Sequence, residues 1–276
     1  MKKIKFSVLM SVYHKEKAAN LEMALNSILE QTYMPSEIVL VEDGKLTKEL
    51  YDVIEKYVIE NKIIKVVKLE KNMGLGKALN IGMDNCKYEY VARMDSDDYS
   101  LPCRFEKQFK FIEENPTYSV IGSNIIEFDD LTNKNISMKN VPQTYDEILK
   151  YSRRRNPMNH MTVVFKKNDV KEVGGYLHCP LFEDYYLWMR MLLHKKKMFN
   201  IQEPLLRARS GLNLSSRRGS INYISCIYNF EKKLLKMHMI NFFDFCYNMI
   251  LRTVVAILPN KLRYYFYQKK LRNNNI

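Results

Sequence analysis

Asp95, Asp97 and Asp98 crowd three carboxylates into four residues, straight after the apolar run Tyr88–Met94. Carboxylates this close repel one another unless a cation lies between them. Hard divalent cations such as Mn²⁺ or Mg²⁺ suit such oxygen ligands, with phosphate oxygens completing the shell. Metal ligation by Asp97, Asp95 and Asp98 is therefore expected. A solvated acidic turn is the competing reading of so short a string. Asp43 closes a second apolar run, residues 36–41, just before Gly44. A carboxylate there can accept hydrogen bonds from a uracil-type base or a ribose, or it can simply form the turn. Glu183 and Asp184 open a helical stretch, 181–193. They match a helix N-terminus. Either could also act as a general base, taking the proton from an attacking hydroxyl.

Basic and aromatic residues form a second group of candidates. Arg207, Arg209, Arg217 and Arg218 flank a Ser/Gly-containing stretch, SGLNLSSRRGS. Guanidinium groups there suit bidentate contacts to a diphosphate. Arg153, Arg154 and Arg155 precede NPMNHMT and are candidates for a lipid-linked pyrophosphate. His160, inside that segment, is a candidate contact to an acceptor or a donor phosphate, against a purely structural role. Trp188 lies one helical turn beyond Asp184. It is a candidate platform for a sugar ring, against core packing.

The positions of these residues follow from the elements around them. Phe6–Val12, 36–41, 63–69 and 88–94 read as buried strands. Apolar spacing predicts helices over 20–31, 47–60 and 74–85. Strands alternating with helices imply βαβ units, and hence an α/β fold with a mostly parallel sheet flanked by helices. Ligands in such sheets sit beyond the strands' carboxyl ends. Ser11, Asp43 and Asp95–Asp98 all fall there. Tyr118–Phe128 reads as extended chain, and the segment after His160 as a turn leading into a strand.

The runs SVLMSVYHKEKAANLEMALNSILEQTYMPSEIVLVEDG, KNMGLGKALNIGMDNCKYEYVARMDSDDYSLPCRFEKQ and GGYLHCPLFEDYYLWMRML occur in that order. Over roughly residues 4–210 the chain resembles family 2 glycosyltransferases of the GT-A fold. Within them it is most similar to bacterial enzymes of O-antigen, capsule and exopolysaccharide assembly, of the amylovoran type and the β-1,3-galactosyl or glucosyl type. The resemblance implies an inverting transfer of a hexose, galactose or glucose, from a UDP-sugar, with Mn²⁺ or Mg²⁺ as cofactor. It implies that Ser11, Val12 and Tyr13 line the nucleoside pocket, that Asp43 contacts the base, and that Lys77 lies near ribose and phosphates. Asp95 and Asp97 match the paired acids, Asp97 as direct ligand and Asp95 nearer the ribose. Asp184 matches the catalytic base, with Glu183 beside it. The chain departs from the processive synthases in lacking their QxxRW motif, so addition of a single sugar is expected.

A net charge of +13 favours anionic partners. A nucleic-acid-binding protein is the alternative that this charge suggests, yet acids at the sheet edge would repel a phosphate backbone, so nucleic acid is not expected as a partner. A catalytically inactive nucleotide-sugar-binding scaffold is the other alternative. Five scattered cysteines without a CxxC pair argue against a disulfide framework or structural zinc and fit a reducing cytoplasm. The opening MKKIKFSVLMSVY reads as a first strand rather than a signal peptide. From about residue 219 the chain becomes apolar, aromatic and basic together. Asp244 and Arg252 interrupt its apolar stretch, which suits an interfacial helix better than a span, and a helical cap packed on the catalytic domain is the equal and compatible alternative. A catalytic domain over 1–210 and a helical extension over 211–276 are expected. The expected setting is the inner face of the cell membrane, peripherally bound, with a polyprenyl-diphosphate-linked glycan as acceptor.

Overall fold

The computed structural model describes residues 3–130, 132–210, 221–260, 262, 263, 265, 266 and 272. Four parallel strands open the sheet: β1 (Phe6–Val12), β2 (Glu37–Glu42), β3 (Ile64–Lys68) and β4 (Tyr90–Asp95). Leu9, Val39 and Val41 face one core, while Val8, Met10, Ile38 and Leu40 face the other. Burial on both faces is why these strands are almost continuously apolar. Parallel neighbours need crossover connections. Here these contain α1 (Ala18–Leu29), α2 (Lys48–Glu60) and α3 (Leu75–Asn85). Leu21, Leu25, Leu50 and Ile54 bring α1 and α2 onto one face, and Ala78, Leu79 and Met83 bring α3 onto the other. Gly82 lets α3 lie close, because a Cβ there would stand 2.4 Å from Leu9 Cδ1 and 2.6 Å from Val41 Cγ2.

The rest of the chain adds β5 (Tyr99–Ser100), α4 (Arg104–Glu114), β6 (Tyr118–Asp129), β7 (Asn135–Lys139) and α5 (Tyr145–Tyr151). There follow β8 (Val164–Lys166), α6 (Lys167–Glu172), α7 (Glu183–Leu193), β9 (Lys197–Ser210), α8 (Ile221–Lys236) and α9 (Phe242–Ile257). The sheet runs β3-β2-β1-β4-β8-β6-β9-β5, with β7 on β6. The expected parallel pairing holds within β3-β2-β1-β4 and between β6 and β9. β8 is antiparallel to both β4 and β6, β7 to β6, and β5 to β9. The β6–β7 connection is too short for a crossover helix, so those strands must pair antiparallel. The sheet is mixed.

Helices α8 and α9 pack onto this body. Ile227, Phe230 and Leu234 join Tyr185 and Trp188 in one core, and the Phe182 and Phe230 rings stack at 4.7 Å. Among the described residues no helix is long and apolar enough to cross a membrane.

In register, Ser11 lies beside Val41 and Asp95, and Val12 beside Glu42. The carboxyl ends of β1, β2 and β4 thus share one edge. The turn after β2 depends on Gly44, whose φ is +84°. A Cβ there would stand 2.4 Å from the Asn72 backbone nitrogen. Gly44→Ala should therefore lower unfolding stability by at least about 1–2 kcal/mol, the cost of a left-handed non-glycine residue alone. An unchanged urea midpoint would contradict this account of the turn.

Candidate active site

Strand β4 delivers the acidic triad to the shared edge. Asp95, Asp97 and Asp98 each place a carboxylate oxygen within 4.8 Å of the others. Asp97 is half-buried, and its pKa is pushed up to about 7, by burial first and then by the charges of Asp95 and Glu16. Burial, with Asp97 and Asp95 beside it, raises Asp98 well above the usual carboxylate range. Asp98 Oδ1 accepts a hydrogen bond from the Arg209 backbone N–H at 2.8 Å. Its Oδ2 is buried without a partner. Crowded acids with an orphaned oxygen fit a hard divalent cation, which would supply the missing partner and relieve the repulsion.

Behind the triad stands Arg93, buried in the middle of β4. It pairs with Asp95 at 2.5 Å, while Arg104 Nη2 of α4 donates to the Arg93 carbonyl at 2.7 Å. Burial opposes the Arg93 charge, and the neighbouring Asp95 more than offsets that opposition. The guanidinium also lowers Asp97, Asp98 and Asp184 against the effect of burial. It therefore lies within electrostatic reach of both acidic groups that the sequence singles out. Tyr176 stands with it and feels the charges of Asp184 and Asp95.

Asp184 occupies the first turn of α7. Burial raises its pKa, and a hydrogen bond from Asn156 Nδ2 to Oδ2 at 2.6 Å acts in the opposite direction. That bond also fixes where the second carboxylate oxygen points. Glu183 is raised too, chiefly by burial. With Lys77 and Tyr176 it lines a cleft of about 160 Å³. Lys77 is exposed in the first turn of α3.

The β1 end presents half-buried Ser11 and Tyr13 and buried Val12, whose carbonyl accepts from Asp43 N–H at 2.8 Å. The buried Asp43 carboxylate accepts from Met73 N at 2.6 Å and Gly74 N at 3.1 Å. It ties the β2 end to the loop that enters α3, so its turn-forming role is present in the folded chain. One further acceptor position remains on each oxygen for a ligand.

Several candidates sit differently from a direct contact. His160 Nε2 bonds Tyr176 Oη at 2.9 Å, and burial together with Arg93 holds the imidazole pKa well below its usual value. A neutral ring cannot form an ion pair with a phosphate. Trp188 has no exposed surface and belongs to the core, so it offers no face to a sugar; the helical spacing that suggested stacking instead points it inward. Arg209 is spent on the triad's own segment. Its Nε donates to the Asp97 carbonyl at 3.1 Å, and its guanidinium pairs with Asp130. Arg207 bonds Asn133 and Asn135 at the β6–β7 hairpin. Arg217 and Arg218 lie outside the described residues. Arg93, Asn156 and Tyr176 are the site residues that sequence reasoning passed over. The signal for Arg93 was a lone cation inside an apolar strand, two residues before Asp95.

Residues 7–171 match the family described as glycosyl transferase family 2. The chain belongs to that family. It is 38% identical over 264 residues to the amylovoran biosynthesis glycosyltransferase AmsE of Erwinia amylovora, covering 96% of this chain and 98% of that one. It is 39% identical to the UDP-Gal:alpha-D-GlcNAc-diphosphoundecaprenol beta-1,3-galactosyltransferase of Escherichia coli, covering 97% of each. The fold is also that of the mannosyltransferase PcManGT from Pyrobaculum calidifontis, solved with GDP-Man and Mn²⁺ (TM-score 0.62, 14% identity, 94% of this chain and 71% of that chain). The chain is a glycosyltransferase, as its motifs implied.

A proton and a divalent cation held by the triad would compete. Asp97, raised to about 7, holds its proton below that pH and frees its carboxylate above it. Were the triad to hold Mn²⁺, its affinity would rise as pH rises through 7. A Mn²⁺ titration followed by electron paramagnetic resonance should give an apparent Kd about tenfold weaker at pH 6 than at pH 8, from the ionised fraction of one such group. Equal affinity at the two pH values would remove the triad from the metal site.

Proposed function

We propose that this glycosyltransferase moves one hexose, galactose or glucose, from a UDP-sugar to a polyprenyl-diphosphate-linked glycan, with inversion at the anomeric carbon and with Mn²⁺ or Mg²⁺ bound. The observation that carries the proposal is that a metal-type acidic triad and a separate carboxylate, Asp184, both lie within electrostatic reach of the buried Arg93 and of Tyr176. A displacement needs this division of labour, with the leaving group on one side and the base on the other. The Escherichia coli relative, a UDP-Gal:alpha-D-GlcNAc-diphosphoundecaprenol beta-1,3-galactosyltransferase, supports the donor and the lipid-linked acceptor, and the amylovoran relative supports a role in surface polysaccharide assembly.

In this reading Asp184 takes the proton from the acceptor hydroxyl as its oxygen attacks the anomeric carbon. The attack comes from the face opposite the leaving diphosphate, so an α-linked donor gives a β product. Asn156 holds the carboxylate in place and favours its ionised form. Asp97, with Asp95 and Asp98, would hold the cation, which when bound neutralises charge developing on the diphosphate. Ser11, Val12, Tyr13 and Asp43 would form the nucleoside pocket, with Asp95 toward the ribose and Lys77 toward the phosphates. Glu183 would shape the acceptor side next to Asp184.

The extension beyond residue 210 would bring the enzyme to the inner face of the cell membrane. Phe243, Ile250, Val254 and Ile257 are all more than half exposed and recur at helical spacing along α9. An apolar stripe on a protein of charge +13 suits an anionic lipid surface.

Transfer is tested with Mn²⁺ or Mg²⁺, a panel of UDP- and GDP-sugars and a GlcNAc-diphosphate-lipid acceptor, reading product mass. One UDP-hexose should give a product that EDTA abolishes. Asp184→Asn should lower kcat about 10²- to 10⁴-fold and leave thermal stabilisation by UDP with Mn²⁺ intact. Full activity in Asp184→Asn would overturn the base assignment. For the membrane part, Phe243→Asp with Ile250→Asp should abolish co-sedimentation with anionic vesicles. Wild-type protein that ignores those vesicles would end that part alone.

A further inference from the structure

Outside the catalytic edge the chain holds a larger cavity, about 700 Å³, between α5, the turn after it and α9. Its charge is unbalanced. Lys150, Arg154, Arg155 and Arg252 line it, and Glu147 is the acid in its wall. The Glu147 carboxylate is already engaged by the backbone N–H groups of Gln143 and Thr144 at the start of α5. Arg154 pairs with Asp244 and lies over the Tyr247 ring, and Arg252 pairs with Glu231. Among the described residues Lys150 and Arg155 have no side-chain ion-pair or hydrogen-bond partner. Two unpaired, solvent-exposed cations at a cavity already rich in arginine suit an anion.

The cavity is coupled to the reaction site through the chain itself. Its lining runs from Lys150 to Arg155, and the next residue, Asn156, donates to Asp184. The same turn accepts a hydrogen bond from Tyr185 Oη to the Ser152 carbonyl at 2.7 Å. On the opposite wall Tyr247 and Leu251 belong to α9, are partly exposed, and adjoin the apolar stripe that includes Ile250 and Val254. The chain that lines one side of the cavity thus continues directly into the residue that holds the base, and the α9 side adjoins an apolar helix face.

We propose that this cavity binds the diphosphate of the lipid-linked acceptor, with Lys150 and Arg155 as its free cationic contacts. The proposal rests on the lipid-linked acceptor read above and assigns the residues that would recognise it. The lipid chain would leave past Tyr247 and Leu251, and the sugar would extend toward Asp184. Recognition of phosphate at this distance from the transferred bond selects acceptors by their anchor, independently of the donor pocket.

The test uses the full chain saturated with UDP and Mn²⁺, so that the donor site is filled, and titrates it with geranyl diphosphate and, separately, with geraniol. Wild-type protein should bind the diphosphate and not the alcohol. The double variant Lys150→Gln/Arg155→Gln should bind geranyl diphosphate at least tenfold more weakly, with unchanged stabilisation by UDP and Mn²⁺. Equal binding by the two proteins would overturn the proposal. So would a variant that loses anionic-vesicle binding while keeping geranyl diphosphate, because the cations would then be reading bulk headgroups. If the double variant does not fold, the wild-type enzyme decides: geranyl diphosphate must compete with the lipid-linked acceptor, and absence of competition overturns the assignment. Binding of geranyl diphosphate that depends on Lys150 and Arg155, together with no transfer to any lipid-linked acceptor, would sustain the anion site and fail the acceptor reading instead.

Discussion

Arg93 carries a full positive charge at 1% exposure in the middle of β4, and a charge placed there must be answered by others or the sheet would not tolerate it. Asp95 answers it by direct pairing. Asp97, Asp98 and Asp184 answer it at longer range, each drawn down by the guanidinium against the effect of burial. The acids cannot lie so close together, half out of water, without that cation, and the cation cannot lie in the sheet without the acids. Arg104 sharpens the constraint. It is also fully buried, its pKa is lowered to about 9 by burial and by Arg93, and it is held by Gln108 Oε1 and the Arg93 carbonyl. Gln108 in turn donates to the Ile121 and Thr162 carbonyls. The electrostatic centre is thereby tied into α4, β6 and the segment before β8.

Fold and site are joined at the strand ends. Parallel register puts Ser11 beside Asp95, and Val12 beside the last residue of β2. Asp43 then turns the chain back through Met73 and Gly74 into α3. Gly76 lets the N-terminal ends of α3 and α7 meet, since a Cβ there would stand 3.2 Å from Glu183 Cγ. Lys77 and Glu183 consequently share one cleft although they come from distant parts of the chain. The rigidity of the packed sheet thus fixes the spacing between the acidic triad and the first turn of α7.

The legible parts of the sequence were those encoded locally. Apolar runs closed by Asp43 and Asp95 gave strands β1, β2 and β4 nearly to their ends, because burial on both faces leaves a continuous signature. Spacing of Leu21, Leu25 and Ile28 gave α1 for the same reason. The second half was less legible. β9 runs for 14 residues through Gln202, Glu203 and Pro204, a polar stretch without strand alternation that is held as strand by its parallel pairing with β6. Asn156 and Tyr176 gave no local signal, since each matters only through a partner in a different element: Asp184 for one, His160 and Arg93 for the other. Arg209 shows the converse. Its residue type suggested phosphate, whereas the fold commits it to Asp97, Asp98 and Asp130. Trp188 was ambiguous for a geometric reason: one helical turn beyond Asp184 can point along the cleft or into the core, and sequence spacing does not distinguish the two.

The two sides of the site differ in how they are built. The donor side comes from the parallel half, β1 to β4, where each residue is fixed by register and by packing on both faces. The side beyond Asp184 comes from α5, α7 and the C-terminal helices, and apolar contacts of Phe182, Tyr185 and Phe230 join α7 to α8 there. Such contacts are tolerant of substitution as long as volume is kept, whereas the buried charges around Arg93 are not, since removing one strands the others. Under the proposed activity this asymmetry has a consequence for specificity. Residues at the α5 turn and along α9 can change without disturbing the triad, so the acceptor side is free to vary on a sheet edge that keeps its chemistry.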